Sequence, residues 1–337
     1  MQGDKEIKVA VVGTGFGRYG HLPSLQNLPG VKVEYIIGSS PERTAEWAAK
    51  LGIPKWSTDP EEVFKSGDVT AVTVAVPSDQ QFAVVKSALN QGLAVFAEKP
   101  LALSVIEATE LAKVAEENSC PNMINFIFPE LATFKRLKKG IDQGELGKVR
   151  HIYLDWRIQT HAEKNNLSNW KNNPQLGGFV FHFLSHLFYN LKCLMGDVQE
   201  VQYKKSSGGT SPDYDHFQAF LTFTNGVHGS VTATSIAAGG SGHNIEVVCE
   251  NGTFYLTNSS KNPVDFKLYK KTNDDSSLLA DDSEHYSQYT DKGLDPRVYP
   301  TTNMMSRWVE WIRGKEKHAP SFADGLWVQE QLEKTNP

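Results

Sequence analysis

A run of apolar residues, Val9 to Val12, leads straight into Gly13-Thr14-Gly15-Phe16-Gly17. In such a turn the missing side chains let backbone N–H groups approach a diphosphate at the start of the following helix. Arg18 stands where the usual glycine pattern carries its third glycine. A second apolar run, Ala94 to Ala97, ends on Glu98-Lys99-Pro100. Open α/β sheets gather their ligands at the carboxyl ends of strands, so Lys99 is placed for chemistry rather than for solvation alone. Further along, His182 and His186 lie four residues apart and on a helix share one face, with Phe179, Phe183, Leu187 and Phe188 to pack beside them. That spacing also suits a metal. Phe183, however, occupies the place where a zinc-protease helix has its Glu, and no third ligand is evident, so no metal is expected.

At the end of the second expected strand, Val31 to Ile37, NAD enzymes usually carry an Asp or Glu that hydrogen-bonds the ribose 2′-hydroxyl. This chain has Gly38-Ser39-Ser40 there, followed by Arg43. Hydroxyls plus a guanidinium, with no acid, suit a 2′-phosphate; the expected cofactor is NADP(H), with NAD(H) as the alternative.

The elements that must position these residues are legible as periodicity. From Ile7 to about Cys120, β-branched runs alternate with helix-like segments, the pattern of a parallel sheet with helical crossovers. Strands are expected at Ile7 to Val12, Val31 to Ile37, Ala71 to Val76 and Ala94 to Ala97. Pro41 marks a helix start, and Ser104 ahead of Glu107 resembles a capping box. After about Val149 the period changes to two: Ile152, Leu154, Trp156 and Ile158 alternate with His151, Tyr153, Asp155 and Arg157. Asn225-Gly226 and Asn251-Gly252, each between alternating runs, predict two hairpins. The fold class expected is therefore a doubly wound Rossmann domain over residues 1–123, then, over 124–337, an α/β domain with an open, mainly antiparallel sheet backed by helices. Thr272 to Glu284 reads as a polar surface excursion, and Asn303 to Gln331 as helical.

Bulk properties exclude several classes. A length of 337 residues suits two cores, and 39% hydrophobic with 22% charged residues is ordinary for globular chains. A net charge of -5 gives no electrostatic reason to expect nucleic acid or an anionic membrane as partner. Cys120, Cys193 and Cys249 are too scattered for a disulfide framework or a cysteine-built zinc site and are expected as reduced packing residues. No apolar run near the N-terminus is long enough for a signal peptide, so a cytoplasmic protein is expected.

Val12-Gly13-Thr14-Gly15-Phe16-Gly17, His21-Leu22-Pro23, Glu98-Lys99-Pro100, Gly144-Glu145-Leu146-Gly147, Trp170-Lys171 and Gly177-Gly178 ahead of His186 resemble the glucose-fructose oxidoreductase / inositol dehydrogenase (Gfo/Idh/MocA) family over nearly the whole chain. The resemblance implies a hydride exchanged between a nicotinamide cofactor and a sugar, inositol or related polyol, with a homodimer or homotetramer formed through the open sheet. It places Gly13, Thr14, Gly15, Phe16, Gly17, Arg18, Ser39, Ser40, Arg43, Pro77, Glu98 and Lys99 at the cofactor. It assigns Lys99 to the reacting hydroxyl, His186 to acid/base exchange and His182 beside it, with Trp170 and Lys171 also facing substrate. Trp156, Arg157, Asn165 and Asn166 are further pocket candidates, Trp156 more readily explained by packing. His182 departs from the family, which usually carries Asp there, as does Gln81, where many members have a histidine. Those departures leave two other readings open: a nucleotide-binding regulator without turnover, and a glycosidase that oxidises its sugar transiently.

Overall fold

The computed structural model describes residues 6–165, 167, 173, 176, 178–208 and 214–335. Two compact units emerge, one formed by Met1–Ile127 with Tyr289–Glu333, the other by Phe128–Gln288 with Lys334–Pro337.

In the first unit, β1 (Ile7–Val12), β2 (Val31–Ile37), β3 (Lys55–Ser57), β4 (Ala71–Val74), β5 (Ala94–Ala97) and β6 (Asn122–Ile124) form one parallel sheet in the order β3-β2-β1-β4-β5-β6. The order reverses between β1 and β4, the position at which doubly wound sheets open a crevice for ligand. Strands β4 and β5 are buried throughout, which is why they read as apolar runs interrupted only by Thr73. β4 stops at Val74, two residues before the end expected from its apolar run. Helix Pro41–Leu51 starts on Ser40, whose Oγ accepts from the Arg43 N–H at 3.5 Å. Ser104 caps helix Val105–Glu117 by accepting from the Glu107 N–H at 3.2 Å, while Glu107 accepts in return from the Leu103 N–H at 3.1 Å.

Residues 289–333 join this unit rather than the second, where the expected boundary at residue 124 had placed them. Their anchors are specific. Fully buried Trp308, on helix Val298–Ile312, donates from Nε1 to the Pro121 carbonyl at 3.2 Å, and the Phe322 N–H donates to Asn122 Oδ1 at 2.7 Å.

The second unit holds β7 (Val149–Arg157), β8 (Val198–Ser206), β9 (His216–Phe223), β10 (His228–Thr234), β11 (Gly242–Cys249), β12 (Gly252–Asn258), β13 (Lys267–Lys271) and β14 (Ser276–Asp281), in the order β14-β13-β12-β11-β7-β10-β9-β8. All neighbours are antiparallel except β7 and β10, which run parallel. Both predicted hairpins form, β9–β10 through Gly226 at φ 82° and β11–β12 with Gly252 opening its second strand. The polar segment after Thr272 is a strand and not a loop excursion: β14 closes the sheet edge, where solvation tolerates its polar residues. Cys120, Cys193 and Cys249 form no disulfide, and burial together with the Glu250 charge pushes Cys249 up to about 11, as suits a packing thiol.

Helix Ala132–Asp142 has no cap of its own at Leu131. Buried Asp282 supplies one from a distant part of the chain, accepting from Thr133 N at 3.3 Å and Thr133 Oγ1 at 2.5 Å. Burial pushes its carboxyl up to about 6, against the pull of both Thr133 hydrogen bonds. Because the folded state then holds a proton that the unfolded chain releases near pH 4, this group costs stability above pH ~6 and the cost fades on acidification towards pH ~4. Relative to Asp282→Asn, the native chain should therefore gain about 1.3 kcal/mol between pH 7 and pH 5 in urea unfolding; a difference independent of pH would contradict it.

Candidate functional site

Each glycine of the opening turn has a separate steric duty. Gly13 adopts φ +109°, and a Cβ there would sit 2.1 Å from the Ala75 carbonyl oxygen. A Cβ on Gly17 would press Val11 Cγ1 at 3.2 Å and lie 3.5 Å from Ala75 Cβ, so Gly17 performs the close packing that the third glycine of the common pattern provides. Arg18 is thereby free of that duty. Gly15 is exposed, and nothing lies within 4 Å of the point its Cβ would occupy. A tight turn, an open approach to backbone and a close-packed third position make a cradle that fits a dinucleotide diphosphate. The Arg18 and Tyr19 N–H groups both turn back to the Gly15 carbonyl, at 3.0 and 3.4 Å, as the chain enters a π-helical turn, Gly17–His21.

Two contacts at this loop were not foreseeable. Arg297, held by Asp295 at 2.8 and 2.7 Å, lies over the rings of Phe16 and Tyr19, 4.7 and 5.7 Å from their centroids. Burial opposes the Asp295 charge, but its hydrogen bonds with Arg297 hold the carboxyl below its ordinary value. Nothing local to Phe16 signals a partner so far along the chain. Arg18 donates from Nε to the Thr14 carbonyl at 3.2 Å, and its guanidinium carbon stands 3.8 Å over the Trp47 ring.

At the end of β2, a Cβ on Gly38 would meet Thr44 Oγ1 at 2.5 Å and Thr14 Cγ2 at 2.7 Å. No acid fits at that position. The first acid after it is exposed Glu42, whose Oε2 accepts from Ser40 Oγ at 3.2 Å; Ser39 precedes it and Arg43 follows it.

Glu98 is anchored from two sides by fully buried His21, whose Nε2 lies 3.0 Å from Oε1, and by Asn125, whose Nδ2 donates to the same oxygen at 2.6 Å. Burial raises the carboxyl's pKa, and the His21 hydrogen bond and charge, Asn125 and Lys99 together outweigh it, so Glu98 stays ionised below its ordinary value. The following peptide, Lys99–Pro100, is cis. Pro77 precedes helix Ser78–Asn90, which carries Gln81 beneath the same loop. Gln81 Nε2 donates to the carbonyls of Glu98 and Pro100, both at 2.6 Å, and of Leu101 at 3.2 Å.

In the second unit, His182 and His186 are both buried. His182 lies in a π-helical turn, Val180–Leu184, and His186 in the α-helix Ser185–Met195 that continues it, so the regular helical spacing expected between them is interrupted. An aromatic chamber surrounds His186: its ring meets Phe128 edge-on at 4.8 Å and lies 6.3 Å from Trp156. Trp156 stacks on His243 at 4.2 Å with 3° between planes, and Phe128 and Phe266 close on His243 edge-on at 5.0 and 5.2 Å. Trp156 thus packs, as its alternation implies. Burial drives His243 down to about 3, so it is neutral at working pH and serves as an aromatic plate, not as an acid or base. Trp170, Lys171, Asn166 and Gly177 lie outside the described residues. Among those described, no group of three or more His, Cys, Asp or Glu could hold a metal ion, and no helix is long and apolar enough to cross a membrane.

These two units define a nicotinamide-nucleotide oxidoreductase of Rossmann type. Residues 7–126 match the family described as "Oxidoreductase family, NAD-binding Rossmann fold", and residues 134–255 match the GFO/IDH/MocA C-terminal domain. The chain belongs to the Gfo/Idh/MocA family of oxidoreductases. It is 27% identical to the uncharacterized oxidoreductase sll0816 of a Synechocystis species, across 99% of this chain and 94% of that one. It is 25% identical to the scyllo-inositol 2-dehydrogenase (NAD(+)) of Bacillus subtilis, across 75% of this chain and 74% of the relative. Among solved structures, levoglucosan dehydrogenase in complex with NADH and L-sorbose superposes with a TM-score of 0.84 at 18% identity, over 98% of this chain and 95% of that one. An oxidoreductase from Agrobacterium radiobacter, in complex with NAD+, L-tartaric acid and magnesium, gives 0.85 at 17% identity, over 98% and 95%.

Proposed function

We propose that the protein is an NAD(P)-dependent dehydrogenase or reductase acting on the CH–OH group of a sugar, inositol or related polyol. The observation that carries the proposal is the three-glycine cradle, with Gly15 open, on a chain that also ends β5 with Glu98-Lys99-Pro100. When bound, the nicotinamide supplies or accepts the hydride. Hydride departure from a carbinol carbon yields a carbonyl only if the hydroxyl proton also leaves. Lys99 is assigned to that oxygen, as the cation that binds it and the amine that moves its proton. His186 is assigned the proton's exchange, with His182, Trp170 and Lys171 as further substrate contacts. The names of the B. subtilis inositol dehydrogenase and of levoglucosan dehydrogenase support the substrate class.

The cofactor we infer is NADP(H) in preference to NAD(H). Gly38 cannot carry the acid that would read a free 2′-hydroxyl, and Ser39, Arg43 and Arg18 offer donors to a phosphate. Exposed Glu42 is the feature that keeps NAD(H) as the alternative. Oligomerisation through the open sheet face is also inferred. One register row crosses that face as Phe220, Ser230, Tyr153, Glu246, Tyr255, Tyr269 and Leu278, and Phe220, Tyr153 and Leu278 are exposed. Light scattering reads it directly, a mass of one chain contradicting it.

The test of function is purified protein with NADP or NADPH, and in parallel NAD or NADH, against a panel of sugars, inositols and ketoses, followed at the nicotinamide absorbance band. Net turnover on one substrate, faster at low concentration with the phosphorylated cofactor, is expected. Tight cofactor binding with no turnover on any polyol would favour a regulator instead. Release of an aglycone without net cofactor change would favour a glycosidase.

A further inference from the structure

We propose that Gln81 is a positioning residue for Lys99, acting through the main chain and not through substrate; the proposal rests on the assignment of Lys99 to the reacting oxygen. Gln81 is buried, and its amide nitrogen meets the carbonyl that precedes Lys99, that of Glu98, at 2.6 Å. The same nitrogen meets the two that follow, Pro100 at 2.6 Å and Leu101 at 3.2 Å. A primary amide carries two hydrogens, so the two short contacts take one each and the Leu101 oxygen shares. On the opposite side the Glu98 N–H donates to the Val74 carbonyl at 2.9 Å, and the Glu98 side chain is held by His21 and Asn125. The backbone is thus pinned immediately before and after the lysine. The Lys99 side chain departs from a segment with little freedom to rotate, and the buried Pro100 and Leu101 carbonyls need a donor that solvent cannot replace.

Four full-length variants test this: Gln81→Leu, Gln81→Glu, Gln81→His and Lys99→Ala. In Gln81→Glu a carboxylate faces three carbonyl oxygens at neutral pH, and only its protonated form donates. Its kcat should fall ~10-fold to ~100-fold at pH 8 and recover on acidification towards pH 5. Gln81→Leu should lose a similar factor at every pH, without that recovery. Gln81→His, with one N–H, should retain more activity than either. In all three the NADPH dissociation constant, read from nicotinamide fluorescence, should stay within about twofold of native, since cradle contacts are untouched.

A second readout needs no substrate. Lysines are reductively methylated with 13C-formaldehyde, the Lys99 resonance being the one missing in Lys99→Ala; its titration should shift in Gln81→Leu and Gln81→Glu while the other lysines hold. Native kcat in folded Gln81→Leu, or an unmoved Lys99 resonance, overturns the proposal. Should Gln81→Leu fail to fold, Gln81→Glu decides, and a uniform loss across pH counts against the proposal. Turnover surviving in Lys99→Ala overturns the assignment of Lys99 instead, and the resonance alone then decides the case for Gln81.

Discussion

Lys99→Ala is expected to lower kcat by ~10³-fold or more while leaving dinucleotide affinity within about threefold of native. Positioned proton transfer contributes on the order of 10²- to 10⁴-fold, and the same ammonium also stabilises charge on the reacting oxygen, so both effects vanish together. Binding should survive because the diphosphate cradle consists of backbone and glycine, with steric contacts confined to Val11, Ala75 and their neighbours. Lys99→Arg separates the two roles: a guanidinium keeps the charge but does not give up its proton at working pH, so it too should be nearly inactive. Initial rates on the best polyol, paired with fluorescence titration of NADPH, measure both quantities. Turnover within tenfold of native in either variant would remove Lys99 from the chemistry.

Gly15→Val should abolish usable dinucleotide affinity, raising the dissociation constant by ~100-fold or more, with little effect on the fold. The position lies outside the left-handed backbone region, and no protein atom falls within 4 Å of the added Cβ. Surface changes of that kind usually alter stability by less than about 0.5 kcal/mol. The side chain instead fills the space through which the diphosphate must reach backbone N–H groups, and a hundredfold loss corresponds to about 2.8 kcal/mol of excluded contact. Gly13→Ala provides the contrast. Its Cβ would collide with the Ala75 carbonyl at 2.1 Å from a backbone at φ +109°, so that variant should lose the fold along with the cofactor. Melting curves and NADPH titrations on the pair distinguish a cradle from a merely tight turn, for which Gly15→Val would bind normally.

Much of this architecture was written in local pattern. Nearly continuous apolar runs predicted β1, β2 and β5 to the residue; β5 is buried throughout, while β1 and β2 admit Lys8, Lys32 and Glu34 only towards their first halves. Alternation gave β7, and the Asn-Gly pairs gave two hairpins, since those turns need backbone that few other residues adopt. Three-residue β3 and β6 are too short to show any period, and the short apolar run of β14 (Leu278, Leu279, Ala280) is set among polar and acidic residues that read as a loop. The helical expectation for Asn303 to Gln331 meets two helices, Val298–Ile312 and Phe322–Lys334, separated by a break that the pattern did not mark. That they cover the Rossmann unit is fixed by Trp308 on Pro121 and Phe322 on Asn122, contacts invisible in any window of sequence.

The candidate site divides similarly. Spacing revealed the glycine turn and the missing third glycine at Arg18, but not that Gly17 packs closely on Val11 and Ala75, which is a three-dimensional property. Gln81 looked like a weakening departure from the family histidine; its amide instead reaches carbonyls on both sides of Lys99. The absence of an acid after β2 was plain in the sequence. Its steric enforcement by Thr14 and Thr44 was not.

Isothermal titration of the unmodified protein with NADPH, and separately with NADH, tests most directly whether this chain holds a dinucleotide. Saturable uptake of one NADPH per chain, at micromolar concentration and more tightly than NADH, is the expected outcome. Heat indistinguishable from dilution for both, up to millimolar concentration, would leave the cradle without its ligand and Lys99 without its chemistry.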